Sequence, residues 1–261
     1  MRIALVSLNQ KWEDKTANLQ HCKALTAQAK SLDADLVIFP EMTLTGFSMN
    51  TASSTEDAEQ SPSIKAFSEI ARANQIAIVA GVVLQAGDKA GNALVAFSSD
   101  GIEQARYFKI HPFSFAGEDQ FFQPGNKLAK MNMSEFTLGF SICYDLRFPE
   151  LYSALAKDCD VLVNIANWPK RRVSHWRTLL QARAIENQAF VIGVNRIGVD
   201  GNGLEYERSS VIVNANGEFI EPVLTEGEMD IYEISRQELL DFRRGFSTRQ
   251  DRLPDLYRAV I

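Results

Sequence analysis

Short apolar runs of strand length, separated by helical patterns, restrict this chain more than any other feature. Ile3–Leu8 and Leu36–Phe39 read as buried strands, the second stopped by Pro40. Between them Thr16–Lys30 places Ala17, Leu19, Cys22, Leu25 and Ala29 at helical spacing. Ile64–Asn74 reads as a second helix and Ile76–Leu84 as a third strand. Ala93–Phe97 and Gln104–Phe108 flank Ser99-Asp100-Gly101, a hairpin signal. The theme then repeats. Strands are expected at Phe136–Ile142, Val161–Ile165, Phe190–Asn195, Ser209–Val213 and Met229–Ile234, and helices at Pro149–Lys157, Val173–Asn187 and Ser235–Phe242. The pattern predicts one α/β domain over residues 1–261 with mixed sheets. Two long polar loops, Ser48–Ser63 and Pro112–Gly125, are candidates for function. The stretch Gly245–Ile261 has no periodic home and is expected to pack on a partner subunit.

Charge and cysteine content exclude several classes. With 33 Asp and Glu against 27 Lys and Arg, the net charge of −6 argues against non-specific nucleic-acid binding. The N-terminal apolar run is too short for a secretory signal or a membrane span. Cys22, Cys143 and Cys159 form no CxxC pair, so a reducing, cytoplasmic setting is expected rather than a disulfide scaffold.

Three reactive residues occupy matching positions. Glu41 follows LVIFP, Lys109 follows QARYF, and Cys143 follows FTLGFSI. Strand ends in α/β sheets line ligand crevices. A carboxylate could take the thiol proton there, and an ammonium could stabilise thiolate and oxyanion. Each residue also has an ordinary reading: a core cysteine, a turn glutamate, a solvated lysine. His111 and His175 would serve a Cys–His hydrolase, but no sequence neighbour pairs with either; packed histidines are the simpler reading. No His-x-x-x-His spacing points to a metal.

The flanks of the three residues are specific. PEMTLTGF at 40–47, KIHPFSFAGE at 109–118 and CYDLRFPE at 143–150 resemble the three signature regions of the nitrilase superfamily of carbon–nitrogen hydrolases, in the family order. The resemblance continues through NIANWP at 164–169, the segment 175–196 and DGNG at 200–203. LRFPE, ANWP and ARAIENQAF are most similar to the omega-amidase branch, whose members hydrolyse the terminal amide of 2-oxo acid amides. The resemblance implies a four-layer αββα sandwich with two central mixed sheets. It implies Glu41 as general base, Lys109 as oxyanion stabiliser, Cys143 as nucleophile and a second glutamate after the lysine. Glu118 matches that glutamate by context, with Asp119 next door. The implied reaction passes through a thioester, releases ammonia and uses neither metal nor organic cofactor; a homodimer is also implied. Hydrolysis of other amides, N-carbamoyl amines or nitriles is the alternative, and a silent binding module is disfavoured by the intact Glu41, Lys109 and Cys143.

The substrate side is expected to include Tyr144, whose N–H would help hold the oxyanion, and Arg147, Asn167 and Trp168. Arg147 lies four positions after Cys143, so a turn could aim it into the crevice to grip a carboxylate. It could equally form a salt bridge with Asp145 or Glu150. Arg171 and Arg172 are either a solvated face or an anion-recruiting pair. Cys22 and Cys159 read as inert, and Gly201 and Gly203 as turn residues.

Overall fold

Alternation along β1 (Arg2–Val6) separates two interiors, with Ile3 and Leu5 in one core and Ala4 and Val6 in another. The computed structural model of the chain describes residues 1–260. The other strands are β2 (Leu36–Ile38), β3 (Ala77–Ala86), β4 (Lys89–Phe97), β5 (Glu103–Phe108), β6 (Lys130–Met133), β7 (Phe136–Ile142), β8 (Val161–Ala166), β9 (Phe190–Asn195), β10 (Gly198–Val199), β11 (Glu205–Tyr206), β12 (Val211–Val213), β13 (Phe219–Ile220), β14 (Leu224–Glu226) and β15 (Met229–Glu233). The helices are α1 (Lys15–Ser31), α2 (Thr51–Ser54), α3 (Pro62–Asn74), α4 (Glu118–Phe121), α5 (Pro149–Leu155), α6 (Val173–Asn187), α7 (Arg236–Gly245) and α8 (Pro254–Val260). Among the described residues no helix is long and apolar enough to cross a membrane.

Two mixed sheets stand face to face. The first has the order β14-β15-β1-β2-β3-β4-β5 and the second β13-β12-β9-β8-β7-β6. Each is parallel at its centre, where β1, β2 and β3 pair in one and β7, β8 and β9 in the other. The layers follow from where the apolar residues go. Leu36, Val79 and Leu94 of the first sheet meet Leu138, Val163 and Ile192 of the second in the central core. The outer face of the first sheet packs on Leu25 of α1 and Phe67 of α3. The outer face of the second packs on Tyr152 of α5 and Trp176 of α6. The molecule is thus the four-layer αββα sandwich expected.

Several boundaries differ from the sequence reading. β4 begins at Lys89 rather than Ala93, because a tight hairpin lets it pair with β3 from Ala86↔Lys89 onward. The strand at Ser209–Val213 contracts to β12, since the Ser209 and Ser210 hydroxyls bond Asn195. The loop 48–63 holds α2, and its Glu56 N–H donates to Val83 O at 3.0 Å, extending the sheet edge. The loop 112–125 holds a 3-10 turn at Ser114–Ala116 and then α4.

The stretch 245–261 is described up to residue 260, with Ile261 outside the described residues. It contains α8 and is tied to its own chain. Arg249 donates to the carbonyls of Ala156 and Lys157, and Arg252 to Glu186 O at 2.6 Å and Asn187 Oδ1 at 2.9 Å. Cationic side chains satisfy the open carbonyls behind α5 and in the last turn of α6, as expected at helix C-termini.

Candidate active site

Glu41, Lys109 and Cys143 sit where β2, β5 and β7 end, so the two sheets both contribute. Beyond β2 the chain stays clamped to β3: Phe39 N–H donates to Val79 O and Thr43 N–H to Gly81 O, both at 2.9 Å. Gly81 allows the close approach, because a Cβ there would lie 2.3 Å from Met42 N and 2.8 Å from the Glu41 carbonyl carbon. Lys109 directly follows β5, and its N–H donates to Asn92 O on β4 at 2.8 Å. Cys143 opens the 3-10 turn Cys143–Arg147 directly after β7. Its φ of +47° is a left-handed conformation for a residue with a side chain. Such strain costs about 1–3 kcal/mol and persists only where the surroundings fix it.

A buried charge cluster forms the floor. Lys109 Nζ stands 2.9 Å from Glu41 Oε1 and 2.8 Å from Glu118 Oε2, with all three side chains at most 1% exposed. Asn92 Nδ2 bridges the carboxylates, donating to Glu41 Oε1 at 2.7 Å and Glu118 Oε1 at 2.9 Å. The Asn167 N–H holds Glu41 Oε2 at 2.8 Å and the Phe113 N–H holds Glu118 Oε2 at 2.5 Å. Gln10 Nε2 donates to the carbonyls of Glu41 and Met42. The ring of Phe47 lies 5.3 Å from Lys109 Nζ. Burial opposes the Lys109 charge, yet Glu118 and then Glu41 outweigh it and hold its pKa above the lysine range. The Cys143 thiol is pushed up, first by burial and then by the Glu41 charge, with Lys109 pulling it back. Cys143 therefore rests as a thiol with a carboxylate and an ammonium acting on it.

The neighbouring carboxylates Glu118 and Asp119 are placed differently. Glu118 enters the cluster, whereas Asp119 meets Lys89 through its backbone carbonyl only. Tyr144, Arg147, Asn167 and Trp168 all line an open pocket of about 120 Å³ that also exposes Cys143. Asn167 is largely committed elsewhere, because its Nδ2 donates to Glu41 O at 2.7 Å. Trp168 is both pocket wall and core: it packs on Trp176, and its Nε1–H donates to Arg172 O at 2.7 Å.

Arg147 makes neither salt bridge considered for it. Its guanidinium lies 5.0 Å from the Trp168 ring and 5.9 Å from the Tyr144 ring, and Nη2 is 3.4 Å from His175 Nδ1. Asp145 is already saturated by Tyr107, His111 and backbone N–H groups. Arg171 and Arg172 line the same pocket. Burial lowers the Arg172 pKa, and the positive charges of Arg171 and Arg147 lower it further. His111 stacks on Phe148 with ring centroids 3.7 Å apart. Cys22 and Cys159 are buried in the two outer cores. Gly201 and Gly203 lie in a turn closed by the Asp200 carboxylate, which accepts from Asn202 and Leu204. Among the described residues no group of three or more His, Cys, Asp and Glu is placed to hold a metal ion.

Sequence reasoning missed Asn92, Gln10 and the organising role of Asp145. Asn92 left one signal, a polar residue within the apolar strand KAGNALVAF.

Comparisons with known proteins identify the family. The carbon–nitrogen hydrolase family model matches residues 2–244. An omega-amidase YafV of Yersinia enterocolitica is 37% identical over 219 residues, covering 84% of this chain and 83% of that protein. The 2-oxoglutaramate amidase of Paenarthrobacter nicotinovorans is 34% identical, covering 87% of this chain and 81% of that one. Among solved structures, a CN-hydrolase superfamily protein of Xanthomonas campestris, with an arsenic adduct in its active site, superposes with a TM-score of 0.90 at 32% identity, covering 97% of each chain.

Proposed function

Because the chain belongs to the carbon–nitrogen hydrolase family, we propose that it is an omega-amidase that releases ammonia from 2-oxo acid amides such as 2-oxoglutaramate. One observation carries the choice of substrate. The pocket that exposes Cys143 is also lined by Arg147, Arg171 and Arg172, and Arg147 stacks on aromatic rings instead of pairing with a carboxylate. A small amide with a carboxylate at its far end supplies the missing partner, since a guanidinium grips a carboxylate through two parallel hydrogen bonds. The similarity to relatives named omega-amidase and 2-oxoglutaramate amidase supports the same reading.

The chemistry then follows from the cluster. The Cys143 thiol gives its proton to Glu41 while sulfur attacks the amide carbon. The carbonyl oxygen becomes an oxyanion that the Lys109 ammonium and the Tyr144 N–H stabilise. Glu41 returns the proton to nitrogen, the C–N bond breaks, ammonia leaves and a thioester remains. Water then gives a proton to Glu41 and attacks the thioester. Collapse of that second intermediate expels sulfur, which takes the proton back, and the acid is released. Glu118 keeps Lys109 charged and in place.

The decisive measurement is ammonia release from 2-oxoglutaramate, glutamine, propionamide and a simple nitrile, run side by side. The expected result is the highest kcat/KM for 2-oxoglutaramate. A preference for propionamide or the nitrile would overturn the substrate assignment. We also infer a cytoplasmic homodimer. Its support is a group of exposed apolar side chains in or after α6 and α7, with Ile185 55%, Phe246 65%, Leu253 57% and Leu256 54% exposed. Sedimentation at micromolar concentration tests it, and a purely monomeric profile would refute it.

A further inference from the structure

Asp145 is fully buried, and its carboxylate accepts four hydrogen bonds from two different segments. Oδ2 accepts from Tyr107 Oη at 2.7 Å and from the Ile142 N–H at 3.0 Å. Oδ1 accepts from the His111 N–H at 2.9 Å and from His111 Nδ1 at 2.8 Å. These donors flank the reactive groups closely. Tyr107 and His111 stand two residues before and after Lys109, and Ile142 immediately precedes Cys143. The first segment belongs to one sheet and the second to the other, and β5 and β7 are not paired. Backbone hydrogen bonding within either sheet therefore cannot fix the spacing between Lys109 and Cys143. Tyr107 remains a donor over a wide pH range, because burial and the Asp145 charge raise its pKa.

We propose that Asp145 is a positioning residue that locks the Lys109 strand end to the Cys143 turn. This inference rests on the roles given above to those two groups. Asp145 also braces the left-handed Cys143 by bonding the preceding N–H within the same turn. Its contribution is geometric: reacting groups displaced by about 1 Å can lose about a hundredfold in rate.

The test uses the full-length Tyr107→Phe and Asp145→Asn proteins and two readouts. The first is kcat and KM on whichever amide the wild type hydrolyses best. The second is the rate of Cys143 alkylation by iodoacetamide at neutral pH, mapped by mass spectrometry, which does not depend on the substrate assignment. We expect kcat to fall at least about tenfold in Asp145→Asn and at least about threefold in Tyr107→Phe, with KM changed less than about threefold. Alkylation should slow in the same order. The double variant should lose no more than Asp145→Asn alone, because Tyr107 acts through Asp145. Wild-type kcat and alkylation in both folded variants would overturn the proposal, as would losses that merely track the unfolded fraction. If Asp145→Asn fails to fold, Tyr107→Phe decides alone. If the wild type hydrolyses no amide, the proposed reaction falls while the alkylation rates still decide the role of Asp145.

Discussion

Asn167 donates its backbone N–H to Glu41 Oε2 at 2.8 Å across 126 positions of sequence. The first oxygen of the same carboxylate is held from the other sheet, by Asn92 and Lys109. Glu41 therefore straddles the seam between the sheets with each oxygen assigned, so its geometry is set in advance of the proposed proton transfer.

Glu41→Gln should keep the shape and lose the base. A fall in kcat of at least about 10²–10⁴ is expected for a lost general acid–base group. Cys143→Ala should fold and release no ammonia, whereas Cys22→Ala and Cys159→Ala keep most activity. His111→Gln and His175→Gln should each cost less than Glu41→Gln. A folded His175→Gln as dead as Cys143→Ala would instead install a Cys–His pair.

Lys109→Met should damage stability as well as rate. It strands two buried carboxylates, and removing one partner from a buried ion pair typically costs about 3–5 kcal/mol. Adding Glu118→Gln should restore part of the melting temperature and none of the activity. A double variant no more stable than Lys109→Met would show that the cluster does not behave as a charge-balanced unit.

Arg147→Lys separates substrate binding from scaffolding. With its planar fork gone, kcat/KM on 2-oxoglutaramate should fall about tenfold to a hundredfold, the worth of a charge-assisted hydrogen bond. Propionamide, which has no carboxylate, should lose much less. Equal losses on both amides, or a matching drop in melting temperature, would move the carboxylate partner to Arg171 or Arg172.

High pH should unfold the protein. Burial raises the Cys159 thiol from 9.0 to about 11. It also raises Cys22, Tyr152, Tyr206 and Tyr232. Each such group is protonated in the folded state at a pH where the unfolded chain has already lost the proton. Their contribution is therefore full below the ordinary thiol and phenol values and is lost as pH rises through the folded ones. Urea midpoints should decline from about pH 9 upward, and Cys159→Ala should flatten the first part of that slope. A midpoint that holds or rises through this window would contradict the burial of these groups.

The alternation of strands and helices was legible because apolar runs and helical stripes are local signals, whereas the four-layer sandwich was implied by the family resemblance. The three reactive residues were legible for the same reason, each announced by its own flanking segment. What could not be read were side chains whose partners lie far away in the sequence. Asn92 links Glu41 to Glu118, Asp145 ties Tyr107 to Ile142, and Asn167 serves Glu41 more than it serves the pocket. The ties of the stretch after Gly245 to its own chain were hidden too, because its arginines bind backbone carbonyls, which leave no mark in sequence.

The floor of the pocket holds two carboxylates and one ammonium, so it carries one net negative charge before any substrate enters. The proposed steps only pass a proton among sulfur, Glu41, nitrogen and water, and that total never changes. Ammonia departs neutral, and the acid forms neutral before it ionises in water. The interior thus creates no new net charge at any stage. Dissolved salt has little to screen during bond breaking, while it would compete directly for the arginines proposed to recruit the substrate. Ionic strength should accordingly raise KM and leave kcat nearly flat, so the enzyme's salt sensitivity reports on capture of the substrate rather than on its chemistry.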